Sequence, residues 1–161
     1  MGKAAINDLV DQYRRAFHML YEEIERFDEQ QWRRGLDSFQ VPVKLAMHIT
    51  DALDYYFSGK SGDQYRWGHH FGGGWWELAD DQMPNKATVL AYTKEVEGRI
   101  INELSSLNDA DLSKPFAIHD GSGATLLGHY VYALRHTMHH HGELAALAVH
   151  HGREGGSWAY I

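Results

Sequence analysis

Apolar residues recur at steps of three and four in four separate stretches of this chain, and no stretch sustains a two-residue alternation. The first stretch runs from Ile6 to Phe27 through Leu9, Val10, Tyr13, Phe17, Leu20 and Ile24. The second follows Pro42, a residue suited to a first helical turn, with Leu45, Ile49, Ala52 and Tyr56 as its stripe and Gly59 as its stop. The third begins near Pro84 and Asn85 and carries Val89, Val96, Ile100, Leu104 and Leu107. The fourth starts near Ser122 or Thr125 and reaches Gly152, with Leu126, Tyr130, Ala133, Leu144 and Leu147 as its buried line. All three prolines fall near expected helix ends. The pattern predicts an all-α four-helix bundle formed by residues 1–161 as one domain.

The connections differ in character. Between the first two helices, a helical turn is expected at Asp28-Glu29-Gln30-Gln31-Trp32. The stretch from Lys60 to Met83 is long for a loop, and loops of that length are usually functional. It is rich in glycine and aromatic residues, from Tyr65 through Trp67, His69, His70 and Phe71 to Trp75 and Trp76. Such a segment could close a cavity mouth or simply seal the end of the bundle. A short helix fits Trp75 to Ala79.

Bulk properties narrow the function classes. The length of 161 residues suffices for a full core, and the apolar fraction of 43% is that of a globular protein. A formal net charge of −7 argues against general nucleic-acid binding, which needs a positive surface. No apolar run approaches a membrane span, and Met1 to Asn7 lack the apolar core of a signal peptide, so a cytoplasmic location is expected. The chain has no cysteine, hence no disulfide and no thiolate of its own.

Histidine is the residue that changes the picture. There are 12, and His129, His136, His139, His140 and His141 crowd into the fourth helix. This run sits inside a helical apolar pattern, which excludes an affinity tag. His136 and His140 are four apart, so their rings share one helix face with a rise of about 6 Å between them. Both lie on the apolar line of their helix, and His48 lies on that of the second helix. A single inward histidine is best read as hydrogen-bonded in the core. Three inward rings on two helices are better explained by one divalent metal ion, which satisfies a nitrogen of each. Imidazole ligands suit zinc, nickel or iron(II).

Other residues near this set have weaker warrants. Glu143, three after His140, could orient a ligand, act as a general base or merely be solvated. Asp51, three after His48, is equally ambiguous. His129 is seven before His136; a rise of about 10 Å makes it a candidate for lining a cavity rather than a ligand. His139 and His141 project to other faces and read as surface or dimer-contact residues.

These motifs carry a family resemblance. Leu9-Val10-Asp11-Gln12-Tyr13-Arg14-Arg15, Ala46-Met47-His48-Ile49 and His136-Thr137-Met138-His139-His140-His141-Gly142-Glu143-Leu144 together resemble the DinB-like (YfiT-like) superfamily over nearly the whole chain. The last segment is similar to that family's His-x-x-x-His-Arg-Gly-Gln signature. It departs from it at His141, where arginine is usual, and at Glu143, where glutamine is usual. The resemblance implies an up-down-down-up bundle with Lys60 to Met83 as its crossover. It also implies a nickel, zinc or iron site on His48, His136 and His140, and often a homodimer. Relatives include thiol S-transferases that use bacillithiol, a mycothiol-dependent isomerase and domains of ergothioneine-forming enzymes.

The expected function is therefore a metal-dependent enzyme of the thiol S-transferase type acting on a small molecule. Glu143 would be its catalytic carboxylate, and His129, Trp67, Trp75 and Trp76 would border the substrate. Metal-dependent hydrolysis and non-catalytic metal or small-ligand binding are the alternatives.

Overall fold

The structure is a computed structural model that describes residues 2–117, 123–156 and 158–159. It contains four long helices: α1 (Ala4–Glu25), α2 (Pro42–Phe57), α3 (Lys86–Ser106) and α4 (Leu126–His150). No strand forms among the described residues, which leaves one isolated bridge between Pro115 and Thr125. Ser122, one of the two starts expected for the fourth helix, lies outside the described residues, as does His119.

Three of the four helices begin at a residue suited to a helix start, whereas α1 follows Lys3, which makes no side-chain cap. Pro42 opens α2 from an extended Val41. Asn85 caps α3 by accepting the Thr88 amide, and Thr125 caps α4 by accepting the Gly128 amide. The apolar stripes then turn inward. All eight stripe residues of α1 and its extension, from Ile6 to Phe27, are buried, as are Leu45, Ile49, Val89, Ile100, Leu144 and Leu147. Trp32 sits in a 3-10 turn (Gln31–Arg33) and is fully buried, with its indole N–H donated to the Pro84 carbonyl. A second 3-10 turn, Asp109–Ser113, is capped by Asn108 and Asp111 and had no periodic signal in the sequence.

Around the bundle α1 packs between α3 and α4, and α2 closes the ring between the same two helices. Side-chain contacts give the directions. Lys3 meets the Ser105 carbonyl and Tyr21 meets Glu97, so α1 and α3 run oppositely. Tyr13 meets the Tyr130 carbonyl and Glu23 meets Gly156 beyond the end of α4, so α1 and α4 run together. Along α2, Thr50 pairs with Thr93 and Asp54 with Arg99, so α2 and α3 run together.

That last relationship explains the long connection. Two parallel neighbours cannot be joined by a tight turn, and the chain must travel back past α2, about 24 Å for its 16 residues. Buried carboxylates of α2 hold the returning segment. Asp54 accepts the hydroxyls of Tyr65 at 2.6 Å and Tyr92 at 2.8 Å and pairs with Arg99 at 2.6 Å. Asp51 accepts the Gly68 amide at 2.7 Å. Gly68 has φ +66° and a Cβ there would lie 2.0 Å from the Gly73 carbonyl oxygen, so only glycine fits.

Residues Trp75 to Ala79 form a hydrogen-bonded turn instead of the short helix expected. The Glu77 carboxylate takes the Gly74 amide and Gln82 takes the Ala79 amide, so each turn is closed locally and neither propagates.

Replacing Asp54 by alanine should leave the buried Tyr92 hydroxyl without its carboxylate and Tyr65 with only its longer bond to the Asp51 carbonyl at 3.2 Å, while the exposed Arg99 is free to meet water. The expected cost is roughly 1–3 kcal/mol in urea unfolding, with faster proteolysis between residues 60 and 83 than elsewhere. Unchanged stability and an unchanged cleavage pattern would refute this anchoring role.

Candidate metal centre

His48 projects from α2 toward α4, where His136 and His140 occupy successive turns. The His48 and His140 Nε2 atoms are 3.1 Å apart. Ring centroids lie 5.1 Å apart for His48 and His136, 4.5 Å for His48 and His140, and 4.6 Å for His136 and His140. One ring nitrogen from each of the three falls within 4.8 Å of the others, which makes the set a cluster able to hold a metal ion. Two nitrogens on one ion at bond lengths of about 2.0–2.1 Å stand about 3 Å apart, close to the spacing of His48 and His140.

Hydrogen bonding around the rings fits that role. His140 Nδ1–H donates to Glu143 Oε2 at 2.7 Å, which leaves Nε2 as the lone-pair nitrogen facing His48. This is the carboxylate–histidine arrangement that orients metal ligands. Nδ1 of His48 and Nδ1 of His136 are buried with no hydrogen-bond partner among the described residues. Burial also lowers their basicity: His48 is pushed down to about 3 and His136 to about 4, with the neighbouring histidines adding to the effect. The rings are therefore neutral at pH 7, the form that ligates.

Aromatic residues wall the cluster. Trp75 lies 5.4 Å from the His48 ring and 4.8 Å from Phe39, which itself packs on His48 and His140. Tyr56 stacks edge-on to His136 at 5.5 Å. The Trp75 indole N–H is buried without an acceptor among the described residues. A depression of about 300 Å³, lined by Tyr132, Arg135, His136 and His139, opens beside the cluster along α4.

The other sequence candidates fall in different places. Trp67 packs between Tyr55 and Tyr65, and Trp76 is exposed and packs on Trp67 and Trp75; ring contacts place neither beside the three histidines. His129 is buried two helical turns away, donating to the Tyr56 carbonyl at 2.8 Å and stacked on Phe116 at 4.0 Å. Asp51 faces Gly68, and its burial raises it to about 6. His139 is exposed, 3.7 Å from Glu143.

His141 corrects the expectation of a surface residue: it is buried, and its burial lowers its basicity. The reason is geometric. α4 contacts both α1 and α2, so its buried face is wide enough to take Thr137, His141 and Leu144 as well as the line through His136 and His140. Phe39, Tyr56, Tyr132 and Arg135 were not foreseen. Tyr56 is two turns after His48 and Tyr132 one turn before His136, so helical spacing could have found both.

The sequence profile of the DinB superfamily matches residues 12–144. The chain belongs to that superfamily. A search of curated proteins found no match. No helix among the described residues is long and apolar enough to cross a membrane.

The pH dependence of the metal-free protein tests this geometry. His48 and His136 titrate near 3 and 4 when folded and near 6.5 when unfolded, so only the unfolded chain takes up their protons between those limits. Stability should fall as pH drops from about 6.5 toward 4. The raised carboxyl of Asp51 acts in the opposite sense, so the comparison is with His48→Gln, which retains Asp51 and should show a shallower decline. Identical pH profiles of melting temperature would contradict the burial of His48.

Proposed function

We propose that this protein holds one divalent ion, nickel, zinc or iron, on His48, His136 and His140, and is a metal-dependent enzyme acting on a small molecule. The observation that carries the reading is the convergence of ring nitrogens from three histidines, one of them oriented from behind by Glu143. Three neutral ligands support an open rather than a closed centre. When bound, such an ion supplies positive charge that stabilises an anionic nucleophile, thiolate or hydroxide, at neutral pH.

The chain's own residues would do the rest. Glu143 holds the proton on His140 Nδ1 and keeps Nε2 aimed at the cluster; it acts as a positioning residue there. Phe39 and Trp75 exclude water from the His48 side. The Trp75 N–H offers a donor to a bound substrate. The depression along α4 supports entry from the side of Tyr132 and His139.

Transfer of a small-molecule thiol to an electrophile is the favoured reaction. A chain with no cysteine must take any thiolate nucleophile from outside, and the superfamily's thiol-dependent members make this the closest chemistry. Metal-assisted hydrolysis is the second reading, because the same centre would activate water equally well. A homodimer is expected from the superfamily.

Metal analysis of the purified protein should find about one ion per chain, and His136→Ala or His140→Ala should retain little. Unchanged content in both variants would sink the proposal. Chelation should lower the melting temperature while helicity survives, because the core is continuous without the ion; loss of helicity would indicate a structural ion instead. Metal-loaded protein and His140→Ala should then be assayed side by side, pairing low-molecular-weight thiols with a haloarene or an epoxide. Thiol-dependent turnover that vanishes in the variant supports transfer. Turnover without thiol favours hydrolysis, and none across a broad panel favours a binding protein.

A further inference from the structure

Four residues of α4 line the depression beside the histidine cluster: Tyr132, Arg135, His136 and His139. They stand at the i, i+3, i+4 and i+7 positions of one helix face, so the cleft runs about 10 Å along the helix. Its volume of about 300 Å³ is at the small end of the range for small-molecule sites. One member, His136, also belongs to the cluster, so a molecule lying in the cleft has one end at the candidate metal centre.

Arg135 gives the cleft its chemical character. Its guanidinium lies over the Tyr132 ring at 5.3 Å, and it makes no ion pair among the described residues. Four of the other eight arginines pair with carboxylates, Arg15 with Asp11, Arg26 with Glu23, Arg99 with Asp54 and Arg153 with Asp28, so it is the place of Arg135 in the cleft, more than its lack of a partner, that sets it apart. Arg135 is the one guanidinium lining the cleft at the histidines, and no carboxylate lines it. Stacking on Tyr132 restrains the planar group while leaving its N–H fork open.

We propose that the cleft is a carboxylate subsite, in which Arg135, held on Tyr132, reads the carboxylate of the substrate while the reacting end lies at His136. The inference rests on the metal reading for the role of the reacting end only. A carboxylate fits better than a phosphate on two grounds. The fork of a single arginine matches one planar monoanion. The cleft also lies in the middle of α4, away from the backbone amides of a helix N-terminus that phosphate sites use.

The test measures binding, by calorimetry, of benzoate, its neutral isostere benzamide, and phenyl phosphate. Wild type, Arg135→Gln and Arg135→Lys are compared, each metal-free and metal-loaded. The metal-free protein isolates the subsite, so failure of the metal reading would leave this result intact. In metal-free wild type, benzoate should bind roughly tenfold or more tighter than benzamide. Arg135→Gln should abolish that preference without changing benzamide affinity, melting temperature or metal content, and Arg135→Lys should keep part of it. Equal binding of benzoate and benzamide, no binding of any probe, or full benzoate affinity in Arg135→Gln would overturn the proposal. So would benzoate binding that appears only with metal and ignores Arg135, since the ion would then be reading the carboxylate. Phenyl phosphate binding more tightly than benzoate would overturn the assignment to carboxylates.

Discussion

Along the seam between α2 and α4, imidazole rings occupy positions that a simple bundle would fill with leucine. His48, His136 and His140 meet there, and removing His48 and His136 from water makes their charged forms unfavourable. A neutral imidazole still needs a donor and an acceptor, and the seam does not supply both. Glu143 satisfies His140 from behind, while one nitrogen of His48 and one of His136 have no partner among the described residues. A bundle pays this cost in stability unless something fills the gap. An ion would accept one lone pair from each of the three converging rings; for His48 that nitrogen is Nε2, which faces His140, so its Nδ1 would still be a buried N–H without an acceptor among the described residues.

The same helix supports the seam from its other side. His48 faces α4, and three and six residues later Asp51 and Asp54 face the crossover and α3. Those carboxylates fix Gly68 and Tyr65, and the turns that follow carry Trp75 back to the His48 ring. The crossover is thus required by the parallel course of α2 and α3 and is used to wall the centre. Asp54 is satisfied by two hydroxyls and a guanidinium, which is why a carboxylate can sit almost fully buried beside apolar residues of α3.

What was legible in the sequence follows from the same geometry. Helical period found the four helices and the pairing of His136 with His140, because both depend on spacing within one element. His48 could be joined to them since it lies on an inward stripe. His141 was misread because a single stripe was assumed, whereas each helix here meets two neighbours and buries a broader face. Phe39 and Trp75 reach the centre from connections, which have no period; their positions depend on local turns such as the one Asp37 makes by accepting the Phe39 and Gln40 amides. The glycine-rich run pointed to a functional loop but could not say which tryptophan would arrive. Trp75 does, while Trp67 is held by Tyr55 and Tyr65.

Charge around the centre has a direction. Glu143 stands behind His140, on the side away from His48, and its carboxylate at 2.7 Å makes that ring a stronger electron donor than one backed by a neutral amide. The position is one where the family signature usually has glutamine. A stronger donor holds an ion more firmly and also drains some of its positive charge, so firmness would be gained at some cost in acidity. Arg135 stands on the other side, in the open cleft, with its charge unspent on any carboxylate among the described residues. The negative group thus lies behind a ligand and the positive group lies where a substrate would enter. An anion approaching along α4 would meet attraction first from Arg135 and then from an ion at His136. Glu143 divides its carboxylate: Oε2 takes the His140 proton at 2.7 Å, while Oε1 lies 3.7 Å from His139 on the wall of the cleft.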